Sequence, residues 1–342
     1  MATHASPQGA RRGPAKHIPK ARRVYGAIDL GTNNCRLLIA RPTRGGFYVI
    51  DAFSRIVRLG EGLLETGRIA EKSIVKAVDA LQVCSEKLQR RDVWVTRNVA
   101  TEACRRAKNG PEFIERVYEK TGIALDVITP AEEAQLAVLG CQALFKDGYS
   151  HALVFDIGGG STEISLVECK RRRAVRQLGW WSVPWGVVSL TEAEPQVPPD
   201  IDGRRELFER MRGRVMSNLD RARPILSPPN GLANLQLLGT SGTITTLTSL
   251  HLGLPSYDRS KVDGAWVDTM AMRTISQSLS AMSEEERADQ PCIGRERATM
   301  IVAGCAILDA ILSSFPVERL CVADRGIREG ILRTLMQRDG HW

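Results

Sequence analysis

Two stretches of this 342-residue chain set an aspartate, a glycine-bearing turn and small polar residues between apolar runs: A-I-D-L-G-T-N-N around Asp29 and V-F-D-I-G-G-G-S-T-E around Asp156. Glycine lets a backbone approach an anion closely, and successive N–H groups in a tight turn make a concave anion site. Asp29, Gly31, Thr32 and Asn33 are therefore candidates for one phosphate cradle, and Gly158, Gly159, Gly160, Ser161 and Thr162 for a second. One such turn alone is equally an ordinary hairpin; its recurrence 127 residues later favours the phosphate reading. Asp156 ends an apolar strand and Glu163 follows on the return strand, so the two carboxylates can meet across the turn. Mg2+ takes one or two carboxylates together with waters and phosphate oxygens. The pair would suit magnesium, or another divalent cation such as manganese. The plainer alternative leaves Asp156 as a turn cap and Glu163 as an outward strand residue.

Further acids and bases separate by capping logic. In T-P-A-E-E-A, Thr129 as N-cap, Pro130 at the first helical position and Glu132 three residues after Thr129 form a capping box. Glu133 is not used up in this way, and it opens an apolar helix where a carboxylate that deprotonates water would be useful. General-base help is typically worth about 10² to 10⁴ in rate. The alternative, a first-turn acid against the helix dipole, is worth only about 0.3 to 1 kcal/mol. Arg105, in V-A-T-E-A-C-R-R-A-K-N, follows a strand end on a short helix, from which it can bind phosphate bidentately; Arg106 and Arg171 to Arg173 read as solvated surface charge. Gly239, Thr240, Ser241, Gly242 and Thr243 couple a strand to a helix N-terminus, either an anion site or an ordinary connection. A-D-R-G-I-R-E-G near the C-terminus repeats that plan, with Arg328 and Glu329 in a first helical turn.

The elements that must hold these residues follow from periodicity. From Val24 the chain reads as a three-strand antiparallel meander, then a helix over residues 71–90 with Ile74, Val75, Val78, Leu81 and Leu88 at helical spacing, then the strand V-W-V-T. Short helices near 101–120, the strand A-L-D-V-I and an apolar helix from Pro130 come next, with a boundary in D-G-Y-S at 147–150. The strand, Asp-x-Gly turn, strand plan then starts again. It continues with a third strand through Ser182, a Pro-rich excursion at 195–199 and a helix over 204–218. The strand L-Q-L-L-G, a helix from S-G-T, a long helix over 295–312, the strand R-L-C-V-A and a last helix from Gly326 complete the chain. A repeat at this distance means two similar domains rather than a solenoid.

Composition sets the class. With 43% hydrophobic and 25% charged residues the chain is long enough for two ordinary cores. Its formal net charge is +8, but residues 1–23 carry six basic residues and no acid, leaving 41 basic residues against 39 acids. A body near +2 argues against a dedicated nucleic-acid binder. The Pro-, Gly- and Arg-rich residues 1–23 lack the apolar segment of a secretory signal and read as a disordered basic tail. The longest apolar run, 300–315, carries Asp309 and is too short to span a bilayer. Eight scattered cysteines without a C-x-x-C pair read as free thiols of a reducing compartment, not as a zinc site.

In this order, D-L-G-T-N-N, V-A-T-E-A-C-R-R-A-K-N, E-E-A, D-I-G-G-G-S-T-E, G-T-S-G-T and R-G-I-R-E-G resemble the exopolyphosphatase and guanosine pentaphosphate phosphatase (Ppx/GppA) family over residues 24–337. The resemblance implies an α/β fold of two ribonuclease H-like domains of the actin-like ATPase superfamily, 24–148 and 149–342, around a central cleft. It implies Glu133 as catalytic base, Asp156 and Glu163 as magnesium-associated carboxylates, and Arg105 as a contact to substrate phosphate. Asp29, Gly31, Thr32 and Asn33 match the family's first phosphate loop, Gly158 to Thr162 its second, and Gly239 to Thr243 a further cleft-lining loop. The implied reaction is Mg-assisted attack of water on the terminal phosphate of inorganic polyphosphate, in a cytoplasmic homodimer with no nucleic-acid or membrane partner. The nearest rival substrate is the 5′ γ-phosphate of guanosine pentaphosphate (pppGpp). A kinase or ATP-driven, chaperone-like switch is the rival of another class, and a catalytically dead sensor a third; the presence of Glu133, Asp156 and Glu163 argues against the last. The chain departs from the family in having T-P-A-E-E-A for S-G-x-E-E-A and Asn34 for a usual serine. It also ends at Trp342 without the HD-like helical extension of larger relatives, so processive action on long polymers is not part of the expectation.

Overall fold

The structure, a computed structural model, describes residues 19, 22–170, 175–229 and 231–342. The expectations for Arg171 to Arg173, and for the basic tail apart from Pro19, Arg22 and Arg23, lie outside these residues. The chain forms two compact units, one of Met1–Thr129 with Arg328–Trp342 and the other of Pro130–Ile327. The sequence break at D-G-Y-S falls within the second.

In the first unit, β1 (Tyr25–Leu30), β2 (Asn34–Thr43), β3 (Gly46–Ile56), β4 (Val95–Ala100) and β5 (Asp126–Val127) form one sheet in the order β3-β2-β1-β4-β5. The meander β1–β2–β3 is antiparallel and β4 and β5 run parallel to β1. Every residue of β1 is buried, as suits a central strand covered on both faces. Val24, Ile28 and Leu30 join Cys35, Leu37 and Ile39 in one apolar cluster with α1 (Glu71–Arg90). The buried stripe of α1 is Ile74, Ala77, Leu81 and Cys84; Val75, expected on that stripe, is 44% exposed. α2 (Glu102–Arg106) follows β4, and α3 (Gly110–Thr121) stops where Gly122 adopts φ 70°, a left-handed cap open to glycine.

The second unit opens with α4 (Pro130–Cys141) and holds β6 (His151–Ile157), β7 (Thr162–Cys169), β8 (Val175–Val183), β9 (Leu235–Thr240), β10 (Trp266–Asp268) and β11 (Arg319–Ala323). Their order, β10-β11-β9-β6-β7-β8, repeats the first sheet strand for strand and adds β10 at the edge. β6–β7–β8 is again an antiparallel meander, with β9 and β11 parallel to β6. Between strands lie α5 (Val187–Ala193), α6 (Ile201–Leu226), α7 (Gly242–His251), α8 (Thr269–Ala281) and α9 (Ile301–Ser314); α10 (Ile327–Arg338) closes the chain. The two sheets thus repeat one mixed α/β plan.

The long helix expected over 295–312 is interrupted. A short turn at Arg295–Ala298 ends in a bond from Met300 N–H to the Arg297 carbonyl, three residues back, before α9 begins at Ile301. That tighter spacing breaks the α ladder. α9 is the apolar run of the sequence, buried along nearly all its length. Its single acid, Asp309, is held by Arg212 at 2.6 Å and Arg273 at 2.8 Å; losing one partner of such a buried pair typically costs about 3–5 kcal/mol. Among the described residues, no helix is long and apolar enough to cross a membrane. All eight cysteines are free. Arg23, placed in the tail by sequence, bonds Asp339 at 2.9 Å, and Tyr25 donates to the same carboxylate at 2.7 Å.

Candidate active site

The second unit assembles its candidate residues on one sheet face. Strand side chains alternate between faces. Leu153, Phe155 and Ile157 of β6 join the main core, while Ala152 and Val154 pack with Val167, Val138 and Cys141. By the same alternation, Asp156 on β6 and Glu163 on β7 project toward the face that α4 covers. They are direct cross-strand partners, and Ser182 of β8 lies opposite Glu163. Ser161 and Ser182 both donate to Glu163 Oε1, at 2.7 and 2.9 Å. Glu163 is 2% exposed. Glu133 stands in the first turn of α4, 6% exposed, in the helix that lies over β6, β7 and β8.

The loop between β6 and β7 is held from one side. Gly158 N–H bonds the Ser161 carbonyl at 3.0 Å and closes the turn. Val187 N–H donates to the Gly158 carbonyl, Val188 N–H to that of Gly159, and the Ser189 hydroxyl to that of Gly160. A trans peptide points its C=O and N–H in opposite directions. Tying those three carbonyls to the start of α5 therefore turns the N–H groups of Gly159, Gly160 and Ser161 the other way, as an anion cradle requires. Thr162 serves structure, donating to the Trp185 carbonyl at 2.8 Å. Gly186 is demanded by contact, since a Cβ there would sit 2.6 Å from the Gly158 carbonyl oxygen.

The stretch from Gly239 to Thr243 is largely committed through its side chains. A side chain at Gly239 would strike the Phe155 ring, Thr240 donates to the Arg325 carbonyl at 2.6 Å, and Ser241 caps α7 by accepting from Ile244 N–H. Thr243 is packed where any Cβ on Gly304 would hit it, and Gly242 opens α7 with no atom near its own Cβ direction. Backbone N–H groups are what this turn can offer an anion. Gly326 lies beside it: a Cβ there would be 3.6 Å from Thr240 Oγ1 and 3.9 Å from Asp156 Oδ2.

In the first unit the plan recurs. Gly31 N–H bonds the Asn34 carbonyl at 2.9 Å, and the carbonyls of Thr32 and Asn33 accept from Gly60 and Val57 N–H. Opposite Asp29 on β2, however, stands Arg36, where the second unit has Glu163. Asp29 is buried and its Oδ1 has no hydrogen-bond partner, nor has Asn33 Oδ1. Burial pushes the Asp29 pKa up; Arg36 and Arg328 pull it down, and Glu329 adds to the rise. Arg105 donates to the Ile128 carbonyl at 2.7 Å and to Glu102 at 3.0 Å, which fixes its guanidinium. Sequence reasoning missed Arg36 and Ser182, whose only signal is strand register.

Among the described residues, no three His, Cys, Asp or Glu side chains gather as a metal cage. The fit to a cation with few protein ligands is better: two hard carboxylates directly paired across β6 and β7, one of them oriented by two hydroxyls.

The chain matches the Ppx/GppA phosphatase family pattern over residues 38–339. It is 31% identical over 327 residues to "Exopolyphosphatase 2" of Mycobacterium tuberculosis, covering 90% of this chain and 97% of that protein. It is 28% identical over 314 residues to the "Guanosine-5'-triphosphate,3'-diphosphate pyrophosphatase" of Vibrio cholerae, covering 92% of this chain but 59% of that protein. The crystal structure of the Aquifex aeolicus Ppx/GppA family member superposes with a TM-score of 0.75 at 31% identity, over 94% of this chain and 99% of that one. A Cytophaga hutchinsonii exopolyphosphatase structure gives 0.79 at 25% identity, over 92% and 98%. With glycine loops, paired acids and duplicated sheets all in the order its motifs require, this chain belongs to the Ppx/GppA phosphatase family.

Proposed function

We propose that this phosphoric anhydride hydrolase removes the terminal phosphate of inorganic polyphosphate, with Glu133 orienting and deprotonating the attacking water. The observation that carries the reading is the second unit's sheet face, where buried Glu133 heads the helix laid over Asp156 and Glu163. In phosphoryl transfer the main demand is stabilisation of charge on the transferred and leaving oxygens by preorganised donors. The N–H groups of Gly159, Gly160 and Ser161 meet that demand in the loop spanning Gly158 to Thr162, helped by the α7 N-terminus in the stretch Gly239, Thr240, Ser241, Gly242 and Thr243. From the first unit, Asp29, Gly31, Thr32 and Asn33 form the other phosphate-binding loop, and Arg105 stabilises charge on the leaving chain. Asp156 and Glu163 would hold Mg2+ or Mn2+, which when bound neutralises phosphate-oxygen charge.

The Vibrio relative supports a second substrate, pppGpp, losing its 5′ γ-phosphate by the same chemistry. Family resemblance also supports a cytoplasmic homodimer without nucleic-acid or membrane partners. Replacing Glu133 by Gln lowers phosphate release by about 10² to 10⁴ while polyphosphate binding persists; unaltered turnover removes Glu133 from the mechanism. Phosphate release measured side by side on polyphosphate and pppGpp decides between the substrates.

A further inference from the structure

The internal repeat extends to a residue that the proposed reaction leaves without a role. Glu133 lies six residues after the last residue of β5, and Glu329 lies six residues after the last residue of β11, the strand equivalent to β5. Each stands in the first turn of the following helix, and each is buried, Glu329 to 3% exposure. α4 covers the second unit's sheet on the face of Asp156. Residues 328–342, which hold nearly all of α10, group with the first unit, where Asp339 accepts from Tyr25. Tyr25, Ala27 and Asp29 alternate onto one face of β1, away from the Val24, Ile28 and Leu30 cluster. From Asp339 back to Glu329 is ten residues of helix, about 15 Å at 1.5 Å per residue. From Tyr25 to Asp29 is four residues of strand, about 13 Å at 3.3 Å per residue. The two lengths match, so α10 running back along β1 from the Tyr25–Asp339 contact would put its first turn at the Asp29 end. The field at Asp29 agrees, because Arg328 and Glu329 both act on it.

We propose that Glu329 is the first unit's counterpart of Glu133, a positioning residue that holds Asp29 at the base of the first phosphate loop. Glu329 acts on Asp29 in the same sense as burial, and Arg36 and Arg328 act against it. Glu329→Gln keeps the shape of the side chain and removes its carboxylate, so it isolates what that carboxylate does for Asp29. The charged groups acting on Asp29 are Arg36 from β2 and Arg328 and Glu329 from α10; the Cys35 thiol, on the opposite face of β2, is held protonated by its hydrogen bond with Cys84 and by burial. The loop is a phosphate-binding element and not the base, so the effect falls on substrate capture. This inference rests on the proposed phosphate-binding role of that loop.

The test is steady-state kinetics of the full chain on tripolyphosphate, for wild type, Glu329→Gln and Glu329→Asp, with thermal melts of each. Glu329→Gln raises KM about tenfold to a hundredfold, the range for losing one charge-assisted contact, while kcat changes less than about threefold. Its acid limb in kcat/KM moves to lower pH, because the charge that raises the Asp29 pKa is gone, and Glu329→Asp recovers part of the loss. An unchanged KM, or a loss confined to kcat, or a KM rise with an unmoved pH limb and no recovery by Asp, overturns the assignment. Equilibrium binding of tripolyphosphate to the same variants separates the two levels. If wild type binds but releases no phosphate, the hydrolase reading fails while a tenfold weaker Kd in Glu329→Gln still upholds Glu329; equal Kd values overturn it.

Discussion

The two hairpins obey one hydrogen-bond plan and carry opposite charge patterns. In each, a glycine N–H closes the turn and the segment after the third strand ties back the loop carbonyls. The first sets Asp29 against Arg36 and the second sets Asp156 against Glu163. An acid with a guanidinium opposite it in the sheet has a compensating positive charge nearby, whereas two acids paired across strands call for a cation. Duplication thus conserved the backbone device for phosphate and diverged in the residue on the return strand. In the proposed function one loop binds anions directly, and the other binds them beside a metal.

The comparison is broken most severely by giving the second hairpin the charge of the first. Glu163→Arg leaves Asp156 neutralised, and phosphate release falls by about 10³ or more, in line with the loss of a principal electrostatic stabiliser; a Mg2+ titration of activity checks it. Steric exchange comes next. Gly186→Ala drives a Cβ against the backbone of Gly158 and Gly159, for about 1–3 kcal/mol of stability in a urea melt and about tenfold or more in activity. Gly31→Ala meets only the Asn34 carbonyl at 3.5 Å, an ordinary contact, and stays within about 0.5 kcal/mol of wild type.

The smallest effect is a pH dependence. Burial raises the pKa of Asp29 in the folded state above its value of 3.8 in the unfolded chain. Between the two values the folded state binds more protons, so Asp29 lowers stability as pH rises. Asp29→Asn is accordingly more stable than wild type at neutral pH, and the advantage shrinks to nothing below about pH 4. Thermal melts across pH 3 to 8 read this directly; an advantage that grows toward acid reverses the sign and removes the buried charge from the first hairpin.

Much of this was legible in the chain because it is local. Strand alternation and an Asp-x-Gly turn disclose each hairpin, and counting back from the turn pairs Asp156 with Glu163. Glu133 stands out because capping logic gives a use to Glu132 and none to its neighbour. The rest depends on distant register. Ser182 reaches Glu163 from β8, nineteen residues on, and only strand pairing reveals it. α4 groups with the strands that follow it, and residues 328–342 group with strands some three hundred residues earlier. No local pattern records that exchange, which is why the turn at 147–150 marked a boundary in composition but not in packing. β10 has three residues, too few for alternation to register.

The most direct test of the account is Mn2+ binding, followed by electron paramagnetic resonance in the presence of tripolyphosphate, for wild type, Glu163→Arg and Arg36→Gln. Binding in wild type and in Arg36→Gln, with at least a tenfold loss in Glu163→Arg, is the predicted result. Undiminished binding in Glu163→Arg, or loss in Arg36→Gln alone, contradicts the division of labour between the two hairpins.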